Sequence, residues 1–246
     1  MLDAFKGFPC FRHHSIGTFI RLLIPDRLAQ IAEKVLYLDA DLLCLGRIDA
    51  LIATDLSGAI AAAVPDQQDT TAATQIEALA LADSTYFNAG VLYIHTGNWV
   101  ANDTQNMTLT ILSSRELRFA DQDALNIALN GQVTFLDERW NFRYHLVAKL
   151  SSGVRRFDAA EQAVFMHFTG PVKPWQDWCL HEARLLFVRY QALTPWADVP
   201  LDKPRTAREL KLFSKFLVKQ GRVAEGVWWH LKYLVARTMR SIQKRA

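Results

Sequence analysis

Two carboxylates, Asp39 and Asp41, stand directly after a short apolar run, residues 35–38, and are suited to binding a cation. An uninterrupted apolar run predicts a strand buried on both faces, as in a parallel sheet. Ligands of open α/β sheets bind where such strands end. Neighbouring carboxylates repel each other unless a cation lies between them, and their oxygens suit Mg²⁺ or Mn²⁺. On this pair alone, a solvated turn after a strand is an equally simple interpretation.

The composition is that of a globular protein and limits the class of chain. Half of the residues are hydrophobic, as in a globular chain, and the length of 246 residues predicts one sizeable domain with at most a small appendage. No apolar run approaches the roughly 18 residues of a spanning helix, and the N-terminus lacks the pattern of a secretory signal. Cys10, Cys44 and Cys179 are too far apart for a metal finger or redox pair, so we expect a reducing, cytoplasmic location.

Further polar residues lie where predicted strands begin or end. A strand over residues 59–64 leads to Asp66, and another over 86–94 carries Asn88 and Gly90 at its start. Residues 67–84, between them, are predicted to be a helix or a mobile loop over the site. These strands therefore bring polar side chains to the same region as Asp39 and Asp41.

Two predicted helices supply the remaining polar candidates. Ser15 is placed to cap a helix over residues 16–24, with Arg21 off its apolar face. Arg21 is either a solvated arginine or a contact for an anion or a sugar hydroxyl. Asp121 and Gln122 stand just before a second helix, which is predicted from residue 124 to residue 129.

The chain changes character after residue 194. Pro195, Pro200 and Pro204 mark an extended connector, so we divide the chain into residues 1–194 and a helical region at 195–246. Beyond Lys203 the acids are Glu209 and Glu225 alone, and the bases include Lys211, Lys215, Lys219, Arg222, Lys232, Arg237, Arg240, Lys244 and Arg245.

Apolar residues at helical spacing and two tryptophans, Trp228 and Trp229, accompany these bases. The pattern predicts two helices, which either pack on the main domain or lie on an anionic membrane surface. The shortage of acids favours the membrane surface. Nucleic-acid binding is not expected, because no base-stacking or groove-reading module accompanies the basic residues.

Five segments in fixed order resemble glycosyltransferase family 8, the retaining transferases with an Asp-x-Asp motif. They are residues 35–41 (VLYLDAD), 86–92 (YFNAGVL), 121–123 (DQD), 140–142 (WNF) and 167–175 (HFTGPVKPW). The tail, with Thr194-Pro195-Trp196 and its basic helices, is most similar to that of the lipopolysaccharide core glucosyl- and galactosyltransferases.

The resemblance implies a fold and a reaction. The expected fold is α/β, with a mixed, mostly parallel sheet flanked by helices, as in glycosyltransferases of the A type. The expected reaction moves glucose or galactose from UDP-glucose or UDP-galactose to a lipid-linked oligosaccharide of the lipopolysaccharide core, with retention of configuration. The expected location is cytoplasmic, peripheral on the inner face of the cytoplasmic membrane.

The resemblance also assigns residues. Asp39, Asp41 and His167 match the family's metal ligands, and a histidine beside carboxylates favours Mn²⁺, with Mg²⁺ as the other candidate. Gly170 and Lys173 match positions that contact the diphosphate.

The other matched positions line the sugar site. Arg21, Asp66, Asn88, Asp121 and Gln122 correspond to residues on the donor or acceptor side, and Asp121 and Gln122 are the catalytic candidates. Gln122 matches a residue debated as a nucleophile, but an amide is a poor nucleophile. We therefore expect front-face attack, with UDP accepting the proton of the acceptor.

Residues 1–11 show no equivalent of the uridine-binding segment with which the family normally begins, so we expect weakened nucleotide binding. A truncated or inactive transferase-fold protein bound to a membrane surface is the alternative. A phosphatase of the haloacid dehalogenase type is disfavoured, because Leu43 occupies the position where Thr or Val is required.

Overall fold

The computed structural model describes residues 16–66, 70–82, 85–157 and 162–243. The chain forms two compact units. The first consists of residues 1–142 and 163–165, and the second of residues 143–162 and 166–246. These units are defined by contacts and do not coincide with the predicted division at residue 194. The assignment of catalysis to residues 1–194 and of membrane association to residues 195–246 stays a prediction.

A four-stranded mixed sheet lies in the first unit. Its strands are β1 (Lys34–Leu38), β3 (Ala61–Pro65), β4 (Phe87–His95) and β5 (Val133–Phe135), in the order β1-β4-β3-β5. β4 runs antiparallel to both β1 and β3, and β3 runs parallel to β5. The mixed sheet is confirmed, but the expectation of mostly parallel pairing is wrong for the pairs described here. The apolar runs of β3 and β4 reflect burial at the centre of the sheet, which an antiparallel strand can also have.

Burial differs sharply among these strands. β3 and β4 are almost wholly buried, whereas β1 is only half-buried and lies at one end of the described sheet. The prediction that β1 is buried on both faces is therefore wrong. Leu38, its last residue, is 39% exposed and leads directly to Asp39.

Helices flank this sheet. A 3₁₀ helix (Ile16–Leu22) and α1 (Ile24–Leu28) precede β1, and Ser15, the predicted cap, lies outside the described residues. The other helices of this unit are α2 (Asp49–Ile52), α3 (Thr70–Leu79), α4 (Thr96–Ala101), α5 (Thr104–Ser114) and α6 (Ala120–Ala128). The core between helices and sheet includes the buried side chains of Phe19, Tyr86, Trp99 and Leu125.

α4 and α5 are separate helices, and the chain turns between them at Asp103, whose φ is 51°. α6 begins at Ala120, earlier than predicted, so Asp121 and Gln122 lie in its first turn.

A second sheet consists of β2 (Leu42–Cys44), β7 (Phe165–His167) and β6 (Phe142–Arg143), in that order. The chain passes from one unit to the other within β6 and again within β7. In the first unit, Leu45 N–H donates to Val164 O at 2.7 Å. In the second, Tyr144 N–H donates to His167 O at 2.7 Å.

The described helices of the second unit are α7 (Leu146–Ser151), which precedes β7, and α8 (Ala183–Gln191), α9 (Ala207–Lys219) and α10 (Val223–Gln243), which follow it. The two predicted C-terminal helices are present as α9 and α10, joined at Gly221, whose φ is 78°. A capping box starts α9: Thr206 accepts from Glu209 N–H, and Glu209 accepts from Thr206 N–H. Among the described helices, none is long and apolar enough to cross a membrane.

Candidate active site

The acidic pair lies at the end of β1, as predicted. Asp39 N–H donates to Gly90 O at 2.8 Å, which ties this residue to the backbone of β4. A carboxylate oxygen of Asp39 and one of Asp41 lie within 4.8 Å of each other, and both side chains are half-buried. Two hard oxygen donors at this separation fit a divalent cation. The first unit therefore contains an Asp-x-Asp site suited to a metal.

Arg21 is buried among acids and is only 8% exposed. One terminal nitrogen donates to Asp39 Oδ1 at 2.9 Å and the other donates to Ala89 O at 2.8 Å. Its Nε lies 2.9 Å from Asp121 Oδ2, while the Nε–H bond donates to Thr18 O at 3.1 Å. Burial opposes the charge of Arg21, but the carboxylates of Asp121 and Asp39 outweigh it and raise its pKa. A solvated arginine is therefore excluded.

Tyr37 supports the same carboxylate from β1. Its hydroxyl donates to Asp39 Oδ1 at 2.7 Å, and the guanidinium of Arg21 lies 4.7 Å from its ring centroid. Burial, together with the negative charge of Asp39, raises the pKa of Tyr37, so the hydroxyl stays a donor. Sequence reasoning treated Tyr37 only as an apolar strand residue. Its two-residue spacing from Asp39, which places both on one face of a strand, was the available signal.

Gln122 is held by partners on β4 and the residues before it. Its amide oxygen accepts from Asn88 Nδ2 at 3.0 Å and from Ala89 N–H at 3.1 Å. Its amide nitrogen donates to Tyr86 Oη at 2.9 Å. Asn88 Oδ1 accepts in turn from Asn141 Nδ2 at 2.8 Å. The structure thus brings the predicted residues Asn88 and Gln122 together and fixes the orientation of both amides.

Asp123 is the buried support of this arrangement, and sequence reasoning gave it no role. Its carboxylate accepts from Tyr86 Oη at 2.6 Å, Gln75 Nε2 at 2.9 Å and Phe119 N–H at 2.8 Å. Burial, followed by the charge of Asp123, raises the pKa of Tyr86. The tyrosine therefore remains protonated and connects Asp123 to Gln122. Only the tertiary fold reveals these contacts of Asp123, because Gln75 and Tyr86 are 48 and 37 residues away from it in the sequence.

Asp66 follows β3, as predicted, and its N–H donates to Tyr86 O at 2.7 Å. This bond places the residue beside the start of β4, in the same unit as Asn88 and Gln122. Arg21, Asp39, Asp66, Asn88, Asp121 and Gln122 thus all lie in the first unit.

The other three predicted residues lie in the second unit. His167 ends β7 and is 4% exposed. Gly170 has a φ of 87°, a conformation that favours glycine, although a Cβ there would meet nothing within 4 Å. Lys173 Nζ donates to Phe168 O at 2.5 Å, which closes the loop that holds Gly170.

Family models match most of the chain. The model described as "Glycosyl transferase family 8" matches residues 7–179, and the model described as "Glycosyl transferase family 8 C-terminal" matches residues 182–237.

Curated relatives match over nearly all of the chain. A lipopolysaccharide 1,3-galactosyltransferase of Salmonella typhimurium is 30% identical over 94% of this chain and 70% of its own length. The lipopolysaccharide glucosyltransferase WaaO of Escherichia coli is 28% identical over 95% of this chain and 71% of its own length.

Solved structures give the same result for the fold. The galactosyltransferase LgtC, determined with donor and acceptor sugar analogues, is 28% identical, with a TM-score of 0.62 over 79% of this chain and 73% of that chain. An active-site mutant of LgtC gives a TM-score of 0.63 at 29% identity, over 78% and 72% of the two chains. The predicted transferase fold and enzyme class are confirmed: the chain belongs to glycosyltransferase family 8.

Proposed function

We propose that this enzyme transfers glucose or galactose from a UDP-sugar to a hydroxyl of a lipopolysaccharide core oligosaccharide, with retention of configuration. One observation carries the proposal: Arg21 links the acidic pair at the end of β1 to Asp121, directly before the constrained Gln122. The acidic pair and the sugar-orienting groups thereby lie within one unit. The names of the relatives supply the substrate class.

Asp39, Asp41 and His167 would hold the metal ion, Mn²⁺ or Mg²⁺. The proposal rests on ligand chemistry, since two half-buried carboxylates and one buried imidazole suit Mn²⁺. When bound, the ion offsets negative charge on the departing UDP. Gly170 and Lys173 bind the diphosphate: the loop backbone can approach it, and the lysine ammonium attracts it.

Gln122 orients the transferred sugar rather than attacking it. Its amide oxygen already accepts two hydrogen bonds, and an amide is a weak nucleophile. The acceptor hydroxyl attacks on the face that UDP leaves, its proton passes to a UDP phosphate oxygen, and no protein base is required. Asn88, Asp66 and Asp121 contact sugar hydroxyls, and Arg21 positions Asp39 and Asp121 besides its predicted role in sugar binding.

The tail supports a location on the cytoplasmic face of the membrane. α10 exposes Val227, Trp228, Leu231 and Val235, each more than half exposed, in a helix that also carries Lys232 and Arg237. Apolar residues can enter the lipid interface while the bases attract anionic headgroups. A peripheral protein would thereby meet a lipid-linked acceptor at the surface.

The direct test is transfer to a purified lipopolysaccharide core acceptor with Mn²⁺, using UDP-glucose and UDP-galactose in parallel. We expect one donor to give a product that is one hexose heavier by mass spectrometry and α-linked by NMR. An inverted linkage would contradict the retaining mechanism. No transfer from either donor, by a chain that remains folded, would favour the inactive membrane-bound alternative.

Gln122→Glu tests the role of the amide. We expect greatly reduced transfer by this variant and no burst of product release by the wild type. A burst in the wild type, together with a trapped glycosyl adduct in Gln122→Glu, would establish a covalent route instead. Asp49→Asn is the matched control, because Asp49 is exposed in the same unit and pairs with Arg47.

A further inference from the structure

A groove of about 580 Å³ lies within the second unit, between α9 and α10 and beside the end of α7. Its walls are two rows of residues at helical spacing. Those on α9 are Ser214, Lys215, Phe216, Val218 and Lys219, and those on α10 are Gly226, Val227, His230 and Leu231. Positions separated by four residues share a face of a helix, so the two rows face each other along the groove.

At Gly226 the helices α9 and α10 approach each other closely. A Cβ at this position would lie 2.5 Å from Val218 Cγ2 and 3.0 Å from Ser214 O. The two helices can therefore approach each other there only because this residue has no side chain. Along the groove, Val218, Val227 and Leu231 are 47%, 53% and 51% exposed. A continuous apolar surface is thus open to a ligand.

The polar side chains that α9 contributes to the groove are one buried, hydrogen-bonded serine and two exposed lysines. Ser214 is buried, and its hydroxyl donates to Lys211 O at 3.0 Å. Lys215 and Lys219 are exposed and lie one helical turn apart. The described lining residues include no acid. The groove therefore combines an apolar wall with two exposed cations on α9, which complements an amphiphile that has one apolar chain and an anionic head.

We propose that this groove binds one acyl chain of an anionic phospholipid, with Lys215 and Lys219 facing the lipid phosphate. A second copy of this chain suits the groove less well, since it would bring the same basic residues to the contact. The inference deepens the membrane location in the proposed function, from general surface attraction to a defined lipid site.

The first experiment uses a single-chain lipid as a monomer. The full-length protein is titrated with lysophosphatidylglycerol and with lysophosphatidylcholine of the same acyl-chain length. Both lipids are kept below their critical micelle concentrations. We expect saturable one-to-one binding of the anionic lipid, at least about tenfold tighter than the zwitterionic one. Absence of saturable binding, or equal affinity for both lipids, would overturn the proposal. So would a dimer whose formation excludes the lipid, measured by light scattering.

Two matched substitutions separate the groove from general insertion of α10 into a bilayer. Val227 lines the groove, and Val235 lies on the same helix outside it, with nearly equal exposure of 53% and 56%. Val227→Asn should weaken lysophosphatidylglycerol binding about tenfold, because a polar group would contact the chain, and Val235→Asn less than about twofold. Equal loss in both would show that no defined site exists.

A second pair tests the charged edge. Lys215→Ala with Lys219→Ala should remove the preference for the anionic lipid. Arg208→Ala with Lys211→Ala, which removes the same charge from α9 outside the groove, should preserve it. Loss of the preference in both pairs would indicate unspecific attraction. No nucleotide or acceptor enters these measurements, so their failure is distinguishable from failure of the transferase proposal.

Discussion

Basic side chains occur in two contrasting settings in this enzyme. Around Arg21 one buried guanidinium contacts Asp39 and Asp121 and donates to two backbone carbonyls. On α9 and α10 the lysines and arginines from Arg208 to Arg237 are exposed, and few acids accompany them. Arg222 pairs with Glu225 at the surface, and Lys232 lies 4.1 Å from the ring centroid of Trp229.

The contrast indicates where a single charge matters. A buried charge loses hydration and depends on each partner, so removing one partner leaves a buried charge without compensation. An exposed charge keeps its water, contributes little to folding, and acts together with its neighbours on a distant surface. The first setting suits precise positioning of catalytic groups, and the second suits attraction to a membrane.

Arg21→Ala should have the largest effect. It leaves Asp39 and Asp121 without their cation, so we expect a loss of about 3–5 kcal/mol in the free energy of unfolding, measured with urea. Arg237→Ala, on the exposed face of α10, should leave the unfolding midpoint unchanged. Similar losses of stability in Arg21→Ala and Arg237→Ala would contradict the contrast between the buried and the exposed bases. Arg21→Lys keeps the positive charge but loses the planar guanidinium, which donates to several partners at once. The stability of this variant should therefore lie between those of wild type and Arg21→Ala.

Gly226→Ala tests packing in the second region. The new Cβ would meet Val218 and the backbone of Ser214, so the Val218 side chain or the two helices must shift, at a cost of about 1–3 kcal/mol. Thermal unfolding measures the effect. Gly58→Ala is the control, since its Cβ would meet nothing within 4 Å. If Gly226→Ala melted like wild type, the close approach of these helices would be incorrect.

Thr206→Ala should have a smaller effect. It removes the side chain that caps α9, at a cost of about 1 kcal/mol. Circular dichroism during thermal unfolding would report the shift. Thr238→Ala, within α10, should not destabilise the protein, because alanine is the better helix former. A larger loss from Thr238→Ala than from Thr206→Ala would contradict the role of the cap.

Much of the local structure could be predicted from the sequence. Apolar runs located β1, β3 and β4, and the acidic pair followed β1 as expected, because these signals depend on neighbouring residues. Strand direction could not be predicted in this way. The run at β4 indicates burial alone, and burial is the same for parallel and antiparallel neighbours. The short helices α7 and α8 were missed, and in α8 the exposed Leu185 and Val188 interrupt the amphipathic pattern.

The residues of the candidate site could be predicted from the sequence better than the hydrogen bonds between them. Asn88 and Gln122 were chosen by resemblance, and their direct hydrogen bond appears only in the fold. Tyr37, Tyr86 and Asp123 were missed, because their importance comes from partners distant in sequence or across a strand face. The assigned catalytic and metal roles stay predictions.

Calorimetric titration with UDP, with and without Mn²⁺, tests the central claim that the acidic pair holds a metal for a nucleotide-sugar donor. We expect binding that requires Mn²⁺ in the wild type and is abolished in Asp41→Asn, whereas Asp49→Asn binds like wild type. UDP binding that is unchanged by Asp41→Asn, or that is equally tight without a divalent ion, would contradict the assignment.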